Sequence, residues 1–136
     1  MIGEKAFYGC ISLTKATIGN SVTTIGKEAF YGCNSLTRIT IPDSVTTIGE
    51  YAFSYCSSLL SATIGKGISK IGGYAFYECS SLNSVYCKAT TPPKLGSGPF
   101  NHNARDRRIY VPTASAAEYK RVDRDWFPDS IIGYDF

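Results

Sequence analysis

The strongest constraint on the fold is an internal repeat of 23 residues. Ile2–Thr24 and Ile25–Thr47 are identical at 16 of 23 positions, a third copy follows at Ile48–Lys70, and a fourth begins at Ile71. A copy of this length cannot bury its own apolar side chains, so successive copies must stack and share one continuous core. The sequence therefore predicts a repeat solenoid.

Four positions of the repeat hold the same apolar residue in every regular copy. They are Ile2, Ile25, Ile48 and Ile71; Phe7, Phe30, Phe53 and Phe76; Cys10, Cys33, Cys56 and Cys79; and Leu13, Leu36, Leu59 and Leu82. In a stack, each of these positions forms an apolar row that runs from one copy to the next. We therefore predict that Phe30 and Phe53 are almost fully buried against their neighbours in the row.

A fifth, degenerate copy occupies part of the C-terminal third. The pattern returns after Cys87 if the period is lengthened by one residue, and the extra residue falls in the proline-containing stretch 88–94. A loop accepts such an insertion at little cost. Asn103 stands in the cysteine row and Asp106 in the leucine row, as expected of a terminal repeat with a polar outer face.

Within each copy, one segment alternates as a strand does. In Leu36–Ile41, Ile39 and Ile41 are expected to point inward, while Arg38 and Thr40 point outward. Strands of successive copies then pair in parallel on the concave face, about 4.8 Å apart. The AFxxC stretch predicts a turn or short helix on the convex face, and Gly26 is expected at an unusual backbone dihedral.

The repeat pattern ends at Pro112, so we predict repeats over residues 1–112 and a cap of the same domain over 113–136. The spacing of Ser115 and Glu118 fits a capping box, which predicts a helix from about 115 to 121. Four apolar residues follow and are expected to cover the open end of the solenoid: Trp126, Phe127, Ile131 and Ile132.

The string IGxxAFxxCxSLTxIxIPxSVxxI resembles the BspA-like leucine-rich repeat, and the tail RRIYVPTASAAEYK resembles the C-terminal segment of such proteins. The period lies within the leucine-rich range of about 20–29 residues. The resemblance implies a leucine-rich-repeat solenoid in a bacterial cell-surface or secreted protein that binds protein or glycan, in some members during adhesion. The family has no residue motif that fixes a ligand, so no functional residue is carried over.

Composition excludes several classes of function. The net charge of +3 is too small to indicate nucleic-acid binding. No apolar run approaches the roughly 18 residues of a membrane span, so no membrane insertion is expected. The opening residues MIGEKAF contain no signal peptide and already belong to a repeat. We therefore interpret Met1 as a fragment boundary, so the missing signal is uninformative about the parent protein.

No catalytic, cofactor or metal site is predicted. His102 is the only histidine, it lies in the degenerate copy, and we interpret it as a solvated loop residue. The cysteines number five, none forms a C-x-x-C motif, and a row of thiols gives a line rather than the tetrahedron that zinc requires. Disulfides between neighbouring copies are an alternative, but parallel side chains hold their Cβ atoms too far apart, which favours reduced thiols.

The outward strand positions provide the candidate contact site. Tyr86 and Tyr110 share one row, with Lys88 and Arg108 in the rows beside it and Arg38 nearer the N-terminus. Tyrosine and arginine are enriched among the residues that dominate binding energy at interfaces. The alternative is that threonine and tyrosine stand there because they favour strands, and that the cations serve solubility.

Two functions remain open from the sequence. One is a non-catalytic protein-interaction or adhesion module that binds its ligand on the sheet. The other is a structural spacer whose repeats have no ligand of their own. The N-terminal edge over Ile2–Leu13 has no cap, and an exposed apolar edge invites pairing, so we expect either further repeats upstream or self-association.

Overall fold

The computed structural model describes residues 1–136 as one stack of repeats with two parallel sheets. The larger sheet has five strands: β2 (Arg38–Ile41), β4 (Ser61–Ile64), β6 (Ser84–Cys87), β8 (Arg108–Pro112) and β9 (Ile131–Tyr134). The smaller sheet has four strands of two residues each: β1 (Thr24–Ile25), β3 (Thr47–Ile48), β5 (Lys70–Ile71) and β7 (Lys94–Leu95). The predicted repeat solenoid with parallel strands is confirmed.

The strand register follows the repeat period. Arg38 pairs with Ser61, one period of 23 residues further on, and Ser61 pairs with Ser84. Ser84 pairs with Arg108 in the larger sheet and Lys70 pairs with Lys94 in the smaller sheet, and each of these spacings is one residue longer than the period. Both sheets therefore pass over the extra residue of the stretch 88–94 without losing their pairing.

The core is a single cluster of 31 buried residues built from the predicted rows. Phe30 and Phe53 are 1% and 0% exposed, and their rings stack with centroids 5.1 Å apart and an interplanar angle of 4°. Phe76 continues the row at 5.1 Å from Phe53, and Phe100 follows it at 5.6 Å. The predicted burial of the phenylalanine row is confirmed.

The AFxxC stretch is a series of tight turns rather than a helix. The N–H of Tyr31 donates to the carbonyl of Glu28, and the N–H of Cys33 donates to that of Phe30. Two positions of every copy are left-handed. The first holds Lys5, Glu28, Tyr51, Tyr74 and Gly98, and the second holds Gly9, Gly32, Tyr55, Glu78 and His102.

The expectation that Gly26 has an unusual backbone dihedral is wrong. Gly26 is absent from the left-handed positions. A Cβ atom there would lie 2.7 Å from the backbone nitrogen of Glu4 in the preceding copy. Gly49 and Gly72 would meet the preceding copy equally closely, so these glycines let adjacent backbones approach each other.

Two further strand expectations need correction. The short strands of the smaller sheet were not predicted, because two residues are too few to show an alternation. Residues 15–18 form no strand, so Lys15 and Thr17 do not extend the rows of the larger sheet. The first copy packs against a neighbour on one side only, and Ala16 there occupies the position of Ile39 with a smaller side chain.

The C-terminal segment forms the predicted cap with different contacts. Helix α1 (Ala116–Val122) follows a 3₁₀ turn at Thr113–Ser115, which confirms the helix. The capping box was wrong, because the Ser115 hydroxyl donates to the carbonyl of Thr90 (2.7 Å) and makes no cap bond. Glu118 instead accepts from Arg121 at 2.6 Å.

Three of the four apolar residues expected to cover the end do so. Trp126 and Ile131 are buried, Phe127 is half-buried, and the Trp126 ring lies 5.6 Å from that of Phe100. Ile132 was placed wrongly, because it pairs with Tyr110 across β8 and β9 and is 37% exposed on the outer face of the larger sheet.

At the C-terminal end, one side chain replaces a group that a further repeat would supply, and another replaces the cysteine of the repeat pattern. In regular copies the N–H at the first left-handed position donates to a carbonyl of the next copy, as Tyr74 does to Ser97 (2.8 Å). At Gly98 this N–H donates to the Asp125 carboxylate at 3.1 Å. Asn103 donates to the carbonyl of Phe76 at 2.8 Å, as the Cys79 thiol does to that of Phe53 at 3.0 Å.

Candidate functional site

The outer face of the larger sheet brings two predicted contact residues together. Tyr86 on β6 and Tyr110 on β8 are paired in register, and their rings stack with centroids 4.8 Å apart. Strand pairing fixes this arrangement, because residues in register on neighbouring strands point to the same face. Both rings are half-buried and remain accessible from outside the sheet.

Strand β9 adds residues to this face that were not predicted. The Tyr134 ring stands edge-on to both Tyr86 (5.7 Å) and Tyr110 (5.6 Å), and the Phe136 ring lies 4.9 Å from Tyr134. Tyr134 is 44% exposed and Phe136 50%. We call these four side chains the aromatic corner. The tail lies outside the repeat, so its register, and with it the position of Tyr134, had no signal in the repeat pattern.

The three predicted cations lie at different distances from the aromatic corner. Arg108 lies on β8 next to Tyr110, and its guanidinium donates to the carbonyls of Asp106 and Arg107. Lys88 follows β6, and its side chain is exposed. Arg38 is separated from Arg108 by Ser61 and Ser84 in register, three strand spacings or about 14 Å. Arg38 is therefore not part of the corner.

A second aromatic surface lies on the turns, away from the larger sheet. It comprises Tyr8, Tyr31, Tyr51, Tyr55, Tyr74, Tyr77 and His102. Tyr8 and Tyr31 stack with centroids 4.9 Å apart at 3°, so the two facing ring surfaces cover each other. Burial raises the pKa of the Tyr31 hydroxyl, with further contributions from neighbouring tyrosines. This surface was not predicted from the sequence.

The cysteine row lies in the core as free thiols. The thiols of Cys33, Cys56 and Cys79 each donate to the phenylalanine carbonyl of the preceding copy at 3.0–3.2 Å. Burial raises the pKa of Cys33 to about 11. Burial also raises the pKa of Cys87, which fills an apolar strand position as predicted and contacts the Tyr119 hydroxyl at 3.4 Å. A protonated, buried thiol is a poor nucleophile, so the thiols of Cys33 and Cys87 are unreactive in the folded chain.

Among the ionisable side chains of the degenerate copy, His102 is exposed and Arg107 is buried. The His102 side chain is 64% exposed, 3.9 Å from the Glu78 carboxylate, as expected of a loop residue. Arg107 is 6% exposed and donates to the carbonyl of Phe100 and the side-chain oxygen of Asn103. Burial lowers the pKa of Arg107 to about 10, and its guanidinium lies 4.3 Å from the centre of the Phe127 ring.

The N-terminal edge is apolar and open. Phe7 is 42% exposed and Ile11 63%, whereas the equivalent phenylalanines of later copies are buried. The carbonyls of Glu4, Ala6 and Tyr8 accept no backbone hydrogen bond, although the matching carbonyls of the second copy each accept one from the first. This edge therefore has both apolar surface and unpaired acceptors.

Two further observations concern metal and membrane. No three His, Cys, Asp or Glu side chains are grouped so that they could share a metal ion. None of the helices combines the length and apolar character that crossing a bilayer requires.

Two parallel sheets joined by tight turns, stacked at a constant period and closed by a helical cap, define a leucine-rich-repeat solenoid. The chain belongs to the BspA type leucine rich repeat family, whose model matches residues 1–118 in 6 copies. The resemblance noted in the sequence is thereby confirmed. Among curated proteins no significant match was found.

Solved structures with the same architecture include three leucine-rich repeat proteins. The T. pallidum protein has a TM-score of 0.75 and 34% identity, over 82% of this chain and 52% of that one. The Bacteroides ovatus protein has a TM-score of 0.70 and 29% identity, over 95% of this chain and 32% of that one. The Bacteroides capillosus protein has a TM-score of 0.58 and 33% identity, over 66% of this chain and 63% of that one. This chain therefore spans less than two thirds of each of them.

Proposed function

We propose that this chain is a non-catalytic interaction module of a bacterial cell-surface or secreted protein, and that it takes part in adhesion. The observation that carries the proposal is the aromatic corner on the outer face of the larger sheet. Family membership supports an interaction role, because solenoids present extended surfaces assembled from many copies. The surface location rests on the resemblance to BspA-like proteins.

The aromatic corner has the composition of a contact site. Tyr86, Tyr110 and Tyr134 form a mutually packed set, which holds the rings in place before a partner arrives. Ordered rings lose little conformational freedom on binding, so more of the contact energy becomes affinity. Arg108 beside the rings adds a charged donor, and arginine and tyrosine dominate many interfaces.

Binding to a panel of purified extracellular-matrix proteins and to a glycan array tests this function. The triple variant Tyr86→Ala, Tyr110→Ala, Arg108→Ala should weaken the binding of any ligand found by about thirtyfold, or about 2 kcal/mol. Tyr55→Ala is the control for loss of an accessible tyrosine elsewhere, because Tyr55 lies on the turns and is 43% exposed. Circular dichroism monitors the fold of each variant.

The spacer function makes the opposite prediction. Repeats that only separate other domains bind nothing in either panel, and the triple variant then matches the wild type in every assay. Unchanged affinity of a well-folded triple variant for an established ligand would also reject the aromatic corner as the contact site.

We also propose that the open N-terminal edge mediates self-association of this chain. The exposed side chains of Phe7 and Ile11 and the unpaired carbonyls beside them support this proposal. Light scattering over a range of concentrations should show a larger species that Ile11→Asp abolishes. A monomer at every concentration would reject it.

A further inference from the structure

A polar trough runs over the N-terminal half of the larger sheet, next to the aromatic corner. It consists of two adjoining hollows of about 420 Å³ and 280 Å³ that share Asn20, Thr40 and Pro42. Its floor includes Thr40 and Thr63, while the isoleucines beneath it, Ile18 and Ile41, are buried. The trough thus offers polar groups to a ligand and no apolar pocket.

The charge of the trough is positive and unpaired. Lys15, Arg38 and Lys88 lie along its walls with exposed side chains. None of them forms an ion pair, since the chain has only the pairs at His102 and Arg121. The one carboxylate in the lining, Asp43, already accepts the N–H of Lys66 at 2.9 Å. A ligand with negative charges is therefore favoured along this surface.

The floor carries two threonine hydroxyl groups that are one strand spacing apart. Thr40 and Thr63 are in register on β2 and β4, and Ser61 stands in the next row beside them. None of these three hydroxyls donates to or accepts from another group of the chain, so they are free to bind a ligand. Their spacing is that of neighbouring strands, about 4.8 Å. This interval is comparable to the rise per sugar in an extended polysaccharide.

An aromatic ring lies one strand beyond the C-terminal end of the trough, in the same row as Thr63. Tyr86 pairs in register with Thr63 on one side and stacks on Tyr110 on the other. Because Tyr110 covers one face of the ring, the opposite face is turned toward the small side chain of Thr63. Ring faces bind the C–H surfaces of sugars, as they bind other positively polarised groups.

We propose that this trough binds an acidic polysaccharide segment, whose anionic groups pair with Lys15, Arg38 and Lys88. Its sugar hydroxyls bond to Thr40 and Thr63, and the terminal ring stacks on Tyr86. The proposal rests on the interaction function proposed above and names a ligand class for the same face. An acidic peptide fits less well, because peptide contacts are dominated by apolar anchors in desolvated pockets, which the trough lacks.

Fluorescence anisotropy with labelled oligosaccharides tests the site. The probes are an oligogalacturonate, which carries carboxylates, a heparin-derived oligosaccharide, which carries sulfates, and a neutral dextran oligosaccharide. We expect at least one acidic probe to bind about tenfold or more tightly than dextran, with an affinity that falls as salt is raised. The two acidic probes show which anionic group is preferred.

Two pairs of variants separate a built site from general attraction to a cationic protein. Arg38→Ala with Lys88→Ala should lower the affinity for the acidic probe by about tenfold or more. Lys70→Ala with Lys94→Ala is the matched control, because it removes the same charge from two exposed lysines that are paired in register in the smaller sheet. The control should bind as the wild type does. Thr63→Val, which keeps the shape of the side chain, should weaken binding of the acidic probe without altering the thermal melt.

Three outcomes would overturn the proposal. The first is that neither acidic probe binds. The second is that dextran binds as tightly as the acidic probes. The third is that the Lys70 and Lys94 variant loses as much affinity as the Arg38 and Lys88 variant. If the acidic probes fail while a protein ligand still depends on Tyr110 and Arg108, the trough is rejected and the interaction module stands. If an acidic peptide of equal charge binds as tightly as the saccharide, the site is a general anion surface and the saccharide assignment is wrong.

Discussion

Truncation of Phe53 tests the phenylalanine row on which the stack depends. The Phe53 side chain is fully buried, with Phe30 stacked on one face and Phe76 on the other, both at 5.1 Å. Phe53→Ala leaves a void between two rings that are held in place by their own copies. We therefore expect a loss of about 3–5 kcal/mol in the free energy of unfolding.

The same substitution at the edge of the row provides the comparison. Phe7 is 42% exposed and stacks only on Phe30, at 5.1 Å. Full burial of a phenylalanine contributes about 1.5–3 kcal/mol, and little more than half of that burial exists at Phe7, so Phe7→Ala should cost about 1–2 kcal/mol. The space left there opens to solvent, so no internal void adds to the cost.

Urea unfolding followed by circular dichroism measures both losses, with equal m values showing that the same unit unfolds. If Phe53→Ala does not fold, Phe53→Leu, which retains most of the volume, gives a measurable intermediate loss. A loss below about 1 kcal/mol at Phe53 would refute the row. Equal losses at Phe53 and Phe7 would show that stacking on both faces of a ring contributes no more to stability than stacking on one face.

The remaining predictions concern backbone contact, the C-terminal donor and the thiols. Gly72→Ala should destabilise strongly, since its Cβ would lie 2.5 Å from the preceding copy, whereas Gly73→Ala, with its nearest atom at 3.4 Å, should leave the thermal melt nearly unchanged. Asn103→Ala should cost about 2 kcal/mol in urea titrations, because it leaves the carbonyl of Phe76 without this donor and Arg107 with only the Phe100 carbonyl as a partner. All five thiols should react with Ellman's reagent after denaturation without reductant, and a lower number would reveal a disulfide. Because burial raises the pKa of Cys33 from 9.0 to about 11, its contribution to stability is complete below pH 9 and lost as pH rises through 11, so Cys33→Ala should flatten the alkaline fall in melting temperature.

The core could be predicted from the sequence because each copy repeats one environment. Phe30 and Phe53 hold the same position of the period, so their burial followed once stacking was inferred. Backbone geometry was less accessible, since Tyr51, Tyr55 and Glu78 adopt left-handed conformations at repeat positions where only some copies have glycine. The role of Gly26 was also hidden, because the close approach it permits is to a residue of another copy.

The candidate site was predictable only where the repeat extends. The proximity of Tyr86 and Tyr110 followed from their shared position and was observed. The separation of Arg38 from them follows from the same period, since one copy lies between Arg38 and Tyr86 and two lie between Arg38 and Tyr110. Tyr134 was not predictable, because the tail has no internal copy against which its register could be set. The partner-binding role of these residues stays a prediction.

The Asp125 cap has a consequence for how such a chain can change in length. The carboxylate accepts one N–H of the last copy, at Gly98, and every earlier copy presents the matching group to its successor. A duplication of one unit in the middle of the gene therefore inserts a complete layer, extends the larger sheet by about 4.8 Å and leaves the terminal contact unaltered. Growth and shrinkage by unequal recombination are thus structurally tolerated, while point changes at Asp125 or Gly98 affect the end of the stack whatever its length.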